Sequence, residues 1–249
     1  MPTLILLRHG QSEWNEQNLF TGWYDCDLTA RGIDEAIQAG ELLLQSDSTP
    51  DVIHSSLQKR AIKTAQLVNR STSKKIPIYK NWRLNERHYG DLTGLNKSEA
   101  KIKFGEQKIQ EWRRGYNTPP PPISPGNRFN PKNNEAYKDL PEELIPLSEC
   151  LADVMNRLLP YWFSDIVPDL KSGKKVLIAA HGNSLRALCK HLDKIKDEEI
   201  VKLNIPTGMP FIYELDDELN PKIEKPVLER AIDPEAALVR TESTEKQEQ

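Results

Sequence analysis

Two histidines each follow a short apolar run that ends in His-Gly, and most of the chain separates them. The runs are LILLRHG, which contains His9, and VLIAAHGNS, which contains His181. A run of this length and composition is typical of a buried parallel strand, so each imidazole is expected at a strand's carboxyl end. Ligands of open α/β sheets bind at that edge. With Arg8, the two histidines therefore predict one site suited to accepting a phosphoryl group and stabilising its charge.

Neutral hydrogen-bond donors accompany these groups. Ser12 and Asn15 lie close behind the first His-Gly pair, and Gly182-Asn183 precedes a predicted helix. The free amide groups and the positive dipole end of a helix N-terminus favour an anion. A histidine whose pKa is near ~6.5 can act as a neutral nucleophile or as a cationic donor. The residues alone do not tell which of the two histidines attacks.

A carboxyl group in the segment ERHYG is the candidate acid-base group. A reaction that moves a phosphate between hydroxyls needs a group to take and return the hydroxyl proton, and a carboxyl shielded from water can do this. Glu86 is that group; taken alone, it would be read as a surface carboxylate paired with Arg83 or Arg87. The remaining histidines lack such a context and are interpreted as structural: His54, His88 and His191.

Strand and helix patterns alternate along the chain. Besides the two apolar runs, strands are predicted at residues 52–54, 76–79 and 211–215. Helices are predicted over residues 30–45 (capped by Thr29), 57–69, 106–112, 147–162 and 184–192. This alternation is typical of an α/β fold with a mostly parallel central sheet and helices on both faces. We expect one domain over residues 1–249.

A long irregular segment, residues 115–146, contains PPPPISPG and RFNPKNN. Proline removes amide donors, so this segment cannot belong to the sheet. A loop this long is usually a functional lid or a disordered insertion. The basic pair Arg113-Arg114 at its leading edge favours a lid, part of an insertion at about residues 97–146, over a surface insertion without a role. The tail, about residues 235–249, is expected to be flexible and disordered at its extremity.

Composition excludes several classes of protein. The 249 residues carry a formal net charge of −3, without the basic balance of a nucleic-acid binder. The apolar run near the first residue is too short for a signal peptide, and no run approaches the ~18 apolar residues of a membrane span. Three cysteines without CxxC spacing argue against a disulfide framework and a zinc site. We expect a cytoplasmic protein that binds neither nucleic acid nor a membrane.

Longer motifs occur in a fixed order from about residue 3 to residue 237. They are RHG with SEWN, FTGWYD, KRAIKTA, RLNERHYGDLTGLNK, EWRRGY, TPPPPI, AAHGNSLRALCKHLD and LNIPTGMP. Together they resemble the cofactor-dependent phosphoglycerate mutases of the histidine phosphatase superfamily. General histidine phosphatases share the RHG and the later histidine but lack the stretch from ERHYG to PPPP.

The resemblance implies a role for each candidate residue. His9 would be the nucleophile that becomes phosphohistidine, Glu86 the proton donor and acceptor, and His181 a stabiliser of the transferring group. Arg8 and Arg60 would grip the oxygens of that group. The positions that match the family's substrate-binding residues are Arg8, Ser12, Asn15, Thr21, Gly22, Arg60, Glu86, Tyr89, Lys97, Arg113, Arg114, Gly182 and Asn183.

The resemblance also implies the reaction, which interconverts 3-phosphoglycerate and 2-phosphoglycerate in glycolysis and gluconeogenesis. In it, 2,3-bisphosphoglycerate is the intermediate and the primer, and no metal is required. A homodimer is expected, with a tetramer as the alternative. Two other functions compete: a bisphosphoglycerate mutase or broad phosphatase with the same phosphohistidine, and a non-catalytic phospholigand-binding module. Loss of His9, Glu86 or His181 would have indicated the module, and all three are present.

Overall fold

Five strands form the centre of the computed structural model, which describes residues 2–72 and 74–248, with side chains up to residue 242. The strands are β1 (Thr3–Arg8), β2 (Val52–Ser55), β3 (Ile78–Lys80), β4 (Lys175–Ala180) and β5 (Pro210–Glu214). Their order in the sheet is β3-β2-β4-β1-β5. Strands β1 to β4 run parallel and β5 runs antiparallel to β1. The expected mostly parallel α/β sheet is confirmed.

Helices cover both faces of this sheet. They are α1 (Glu13–Glu16), α2 (Ala30–Gln45), α3 (Lys59–Ser71), α4 (Lys97–Phe104), α5 (Glu106–Arg114), α6 (Leu151–Tyr161), α7 (Val167–Lys171), α8 (Gly182–Leu192), α9 (Asp197–Ile200) and α10 (Pro234–Glu248). A π-helical turn, Trp162–Ile166, joins α6 to α7. Thr29 caps α2 by accepting a hydrogen bond from Gly32 N, as its sequence position predicts.

Alternate residues of β1 face two separate cores. Ile5 and Leu7 pack with residues of α2 and α3, whereas Leu4 and Leu6 pack with residues of α6, α7 and α8. All four side chains are fully buried. A strand that is covered on both faces has no solvent side, which explains the continuous apolar run in the sequence.

The helix predicted over residues 147–162 begins later, at Leu151. The residues before it pair with other segments, since Leu147 O accepts from Ile123 N and Glu149 N donates to His88 O. These cross-chain hydrogen bonds keep the backbone out of the helix. The helix predicted over residues 30–45 matches α2, and the other predicted helices and strands differ from the observed bounds by one or two residues at one or both ends. The helices without a predicted counterpart include α1, α4, α7, α9 and α10.

The irregular segment 115–146 lies outside the sheet, as its prolines require. Its Pro121 O accepts from Asp91 N, and Ser124 N donates to the Asp91 carboxylate. Gly90 has a φ of +57°, and a Cβ there would stand 1.8 Å from Pro121 O, so glycine is required at this contact. Tyr137 is buried in an aromatic cluster beside Trp23. The segment is thus anchored to the loop that carries Glu86.

The tail forms helix α10, which extends to Glu248, and Gln249 lies outside the described residues. Ala237 is fully buried, and Arg240 donates to the carbonyls of Thr207 and Gly208. A helical backbone does not exclude motion, so the flexibility of the tail stays a prediction. Among the described helices, none combines the length and apolar character needed to cross a membrane.

Candidate active site

The two His-Gly motifs meet at one edge of the sheet. Strands β1 and β4 are parallel neighbours, and their register places Arg8 opposite Ala180. The next residue of each strand is a histidine, and His9 N donates to Ala180 O at 3.0 Å. The ring centroids of His9 and His181 are 5.0 Å apart. The structure therefore brings both imidazoles to the edge where ligands of such sheets bind.

The ring of His9 has a defined tautomer. Its Nδ1 lies 2.7 Å from Gly10 O, and because a carbonyl oxygen only accepts, Nδ1 carries the proton. The lone pair is then on Nε2, which accepts from Arg60 Nε at 3.3 Å. Burial, followed by the charges of Arg60 and Arg8, holds the pKa of His9 well below its usual value. His9 is consequently a neutral imidazole with its basic nitrogen beside a guanidinium.

His181 is held by a hydroxyl. Its Nε2 lies 2.8 Å from Ser56 Oγ, and within the described part of the chain its buried Nδ1 has no hydrogen-bond partner. Burial, then the charge of Arg60, lowers the pKa of His181 well below its usual value. Since a hydroxyl can donate or accept, Ser56 is compatible with either tautomer of this ring.

Two arginines stand beside the rings. Arg60 is buried and directs its terminal nitrogens to the carbonyls of Tyr24 and Gly22, each at 2.9 Å. Arg8 donates to Ile205 O at 2.7 Å, and its Nε is buried without a partner. A Cβ placed on Gly182 would lie 3.6 Å from the Arg8 guanidinium, which puts the N-terminus of α8 next to that cation. These contacts fix cationic groups around Nε2 of His9.

Glu86 is positioned by its backbone and by its carboxylate. Its N donates to Gln58 Oε1, and its O accepts from Trp23 Nε1 at 2.7 Å. Its Oε1 accepts from Arg87 N and from Asn183 N, the latter in the first turn of α8. The side chain is 8% exposed. A carboxylate fixed in this way at the edge of a cleft can exchange a proton with a bound hydroxyl.

A pocket opens over these groups. The sequence-based candidates that line it are Arg8, His9, Asn15, Thr21, Gly22, Arg60, Glu86, Tyr89, Lys97, Arg113, Arg114, Gly182 and Asn183. Two candidates lie behind its wall: His181 beside His9, and Ser12, which caps α1 and donates to Asn15 Oδ1. Six lining side chains are cationic, namely Arg8, Arg60, Lys97, Arg113, Arg114 and Arg186, against one carboxylate. Such a lining suits a small polyanion.

Sequence reasoning missed four lining residues: Leu19, Phe20, Arg186 and Asn204. Arg186 donates to Asn183 Oδ1 at 2.8 Å, and burial together with the Arg114 charge lowers the pKa of Arg186 to about 9. Asn204 is nearly buried, and its Nδ2 has no partner. Both residues lie inside quoted motifs, AAHGNSLRALCKHLD and LNIPTGMP, which was the available signal.

Tyr89 illustrates how the cations act on their neighbours. Its hydroxyl accepts from Asn183 Nδ2 at 3.1 Å, and the guanidinium of Arg87 lies 4.9 Å from its ring centroid. Burial would raise the pKa of Tyr89, but the charges of Arg87 and Arg113 lower it below its usual value. The phenol therefore lies in a positive field.

The segment expected to act as a lid contributes little to this lining. Arg113 and Arg114, at the end of α5, and Lys97, at the start of α4, reach the pocket, while the lining includes no residue from 115–146 or from the described part of the tail. That the segment acts as a lid over the site stays a prediction. Within the described part of the chain, no group of three or more His, Cys, Asp or Glu side chains is placed to hold a metal ion.

Comparison with known proteins places the chain in a family. The family model of the histidine phosphatase superfamily (branch 1) matches residues 4–142. A 2,3-bisphosphoglycerate-dependent phosphoglycerate mutase of Streptomyces avermitilis is 53% identical over 245 residues, which cover 98% of this chain and 96% of the relative. One of Thermobifida fusca is 50% identical, with 99% of each chain covered. The chain belongs to the phosphoglycerate mutases of the histidine phosphatase superfamily.

Solved structures agree with the fold of this phosphoglycerate mutase family member. A Bacillus stearothermophilus protein, YhfR, is 26% identical with a TM-score of 0.67, and the match covers 89% of this chain and 94% of that one. A mycobacterial hydrolase is 21% identical with a TM-score of 0.69, covering 91% and 98%. At 21% identity, the likeness to the mycobacterial hydrolase shows a shared fold alone.

Proposed function

We propose that this chain is a 2,3-bisphosphoglycerate-dependent phosphoglycerate mutase that interconverts 3-phosphoglycerate and 2-phosphoglycerate through phosphorylated His9. The observation that carries the proposal is the protonation and hydrogen bonding of the His9 ring. His9 presents an unprotonated Nε2 beside Arg60, with Glu86 lining the same pocket. A nucleophile, charge-stabilising cations and a proton-transfer group are the parts that a reversible phosphoryl transfer requires.

Each half of the reaction uses the same groups in opposite directions. When His9 becomes phosphorylated, its Nε2 bonds to phosphorus and the phosphorus–oxygen bond of the ligand breaks. The carboxyl group of Glu86 gives its proton to the departing oxygen. In the return step, the Glu86 carboxylate takes the proton of the attacking hydroxyl while the nitrogen–phosphorus bond breaks. Glu86 thus ends each cycle in its starting protonation state. Arg8 and Arg60 balance the charge on the transferring oxygens.

The pocket fits a glycerate that carries two phosphates. Six cationic side chains line it, and the Nε of Arg8 and the Nδ2 of Asn204 are buried donors without a partner among the described residues. Anionic oxygens of a bound ligand would satisfy such donors. Arg113, Arg114 and Lys97 would hold the end of the molecule that does not react. When bound, 2,3-bisphosphoglycerate supplies the phosphoryl group that first phosphorylates His9.

The proposal also includes turnover without a metal, a homodimer and a cytoplasmic location. The three cysteines, Cys26, Cys150 and Cys189, are buried and unpaired, which supports a reducing compartment. The oligomer follows from the family resemblance. Light scattering on the eluting peak of a gel-filtration column is expected to give twice the mass of the 28.5 kDa chain. A mass of one chain would contradict the homodimer.

The activity is tested by supplying 3-phosphoglycerate with a trace of 2,3-bisphosphoglycerate and following 2-phosphoglycerate. Rapid conversion is expected, unchanged by a chelator, while release of inorganic phosphate stays much slower. Dominant phosphate release would indicate a phosphatase. Activity abolished by the chelator would contradict metal-independent turnover.

The role of Glu86 is tested by Glu86→Gln. This substitution keeps the size of the side chain but cannot exchange a proton, so kcat is expected to fall about 10²–10⁴-fold with little change in KM. Glu99→Gln, which alters an exposed carboxylate on α4, is the control and is expected to behave as wild type. Wild-type turnover in Glu86→Gln would remove the acid-base role.

A further inference from the structure

A buried ion pair lies behind Glu86, outside the lining of the pocket. The Nε of Arg157 donates to Glu149 Oε1 at 2.6 Å, and its Nη2 donates to Oε2 at 3.1 Å. The two side chains are 8% and 3% exposed. Burying two charges is costly unless their other hydrogen bonds are satisfied. The partners of this pair therefore indicate what it does.

Arg157 directs its remaining donors to the backbone that leads into Glu86. Its Nη1 donates to Arg83 O at 2.7 Å. Its Nη2 donates to Asn85 O at 2.9 Å and to Glu86 O at 3.0 Å. One planar guanidinium thus contacts three carbonyls within four residues, a geometry that its fixed fork of donors permits.

Glu149 holds the chain on the other side of Glu86. Its Oε2 accepts from His88 N at 2.8 Å, and its own N donates to His88 O at 2.9 Å. Together with Arg157, it fixes the backbone before and after the catalytic carboxyl. Arg157 belongs to α6, a helix packed in the core, so the loop is fastened to a rigid element.

We propose that Arg157 and Glu149 are positioning residues that aim the Glu86 carboxyl at the reacting oxygen. The inference deepens the proposed function and rests on it. A displacement of about 1 Å at a reacting group can lower a rate about 10²-fold, even when the change lies away from the chemistry. The hydrogen bonds of the pair run to the backbone of residues 83–88 and between its own two members, so its loss should affect proton transfer more than binding.

Arg157→Lys is the main test. A lysine keeps the positive charge beside Glu149, but one ammonium group cannot reach both carboxylate oxygens and three carbonyls. We expect kcat to fall about 10–100-fold while KM for 3-phosphoglycerate changes less than about threefold. The matched control is Arg230→Lys, in a buried pair with Asp193 that also includes a carbonyl contact, to Ile223. This control is expected to keep the wild-type kcat.

A second variant separates positioning from folding. The double substitution Arg157→Met/Glu149→Gln removes both charges together, so it avoids leaving one charge buried alone. Its Tm is expected to fall because the carbonyls of residues 83 and 85 lose their donor, but the protein should stay folded at the assay temperature. Its kcat should stay low because the loop that carries Glu86 is no longer fastened to α6. A double variant with wild-type kcat would overturn the proposal.

A double-mutant cycle with Glu86→Gln shows whether the pair acts through Glu86. If it does, Arg157→Lys lowers kcat less than about threefold in the Glu86→Gln background, since the proton-transfer group is already lost. If the two substitutions lower kcat by factors that multiply, or if Arg157→Lys raises KM and leaves kcat unchanged, the positioning role is overturned while the proposed function stays intact. An inactive wild-type enzyme would overturn the proposed function, and this inference with it.

Discussion

His9 and His181 follow neighbouring strands at the same height, yet their rings are held differently. A carbonyl, Gly10 O, fixes the proton of His9 on Nδ1 and leaves Nε2 as the base. A hydroxyl, that of Ser56, holds Nε2 of His181, whose Nδ1 has no partner. A carbonyl selects one tautomer, whereas a hydroxyl permits both. In the proposed mechanism, the local hydrogen bond, and not the His-Gly motif, therefore distinguishes His9 as the nucleophile from His181 as a supporting group.

Removal of His9 tests this comparison most strongly. His9→Ala has no nucleophile, so mutase activity is expected to fall at least about 10⁴-fold. The acid-labile phosphoryl label that 2,3-bisphosphoglycerate leaves on the wild-type protein should disappear, as measured with radiolabelled substrate. His191→Ala, at a half-buried histidine far along α8, is the control and should retain the label. A label retained in His9→Ala would move the nucleophile elsewhere.

Removal of His181 is expected to have a smaller effect of a different kind. In the proposed mechanism His181 supports the transferring group without bonding to it. His181→Ala should therefore still acquire the label, but about 10²–10³-fold more slowly, as for the loss of one preorganised donor. Rapid-quench measurement of labelling gives this rate. Complete absence of the label over long incubation would show that the two rings are not divided as the hydrogen bonds indicate.

Much of this arrangement could be predicted from sequence because it depends on short-range patterns. The apolar runs set β1 and β4, and parallel pairing brings His9 and His181 to one edge. The proposed division of roles between the two histidines could not be predicted from these short-range patterns. It depends on Ser56, which is 125 positions from His181 and carries no motif signal of its own.

The support of Glu86 was hidden for the same reason. Gln58 donates to Gly22 O and accepts from Glu86 N, so one side chain joins three distant segments. Arg157 joins α6 to that loop. Such contacts arise from tertiary packing, and local periodicity does not encode them. The long segment 115–146 was recognised as irregular, but its attachment to Asp91 depends equally on the fold.

The protonation of the two rings gives a third test. Burial and the arginine charges lower the pKa values of His9 and His181, so both rings should stay neutral at pH 5.5, where an ordinary histidine is about tenfold more often protonated than neutral. Nitrogen NMR of the imidazoles measures this directly. The urea-unfolded protein, whose histidines should titrate near ~6.5, is the control.

The same shifts affect stability. The unfolded chain takes up protons at pH values where the folded rings do not, so the free energy of unfolding should fall as the pH drops below about 6.5. It should be higher at pH 7 than at pH 5 in urea titrations. A folded His9 that titrates near its ordinary pKa would contradict the neutral nucleophile and weaken its contrast with His181.

The smallest expected effect concerns the hydroxyl that distinguishes the two rings. Ser56→Ala removes two neutral hydrogen bonds, the one with His181 Nε2 and the one that Ser56 Oγ accepts from Gln58 N. Loss of the contact with His181, worth about 0.5–1.5 kcal/mol, should lower kcat about 2–10-fold while the His9 label still forms. Ser55→Ala deletes the adjacent buried hydroxyl, which donates to Ala179 O, and should leave kcat near the wild-type value. Equal losses in both variants would attribute the effect to packing of β2. A loss specific to Ser56 would show that its hydroxyl, which contacts His181 and the Gln58 amide, contributes to transfer separately from the nucleophile.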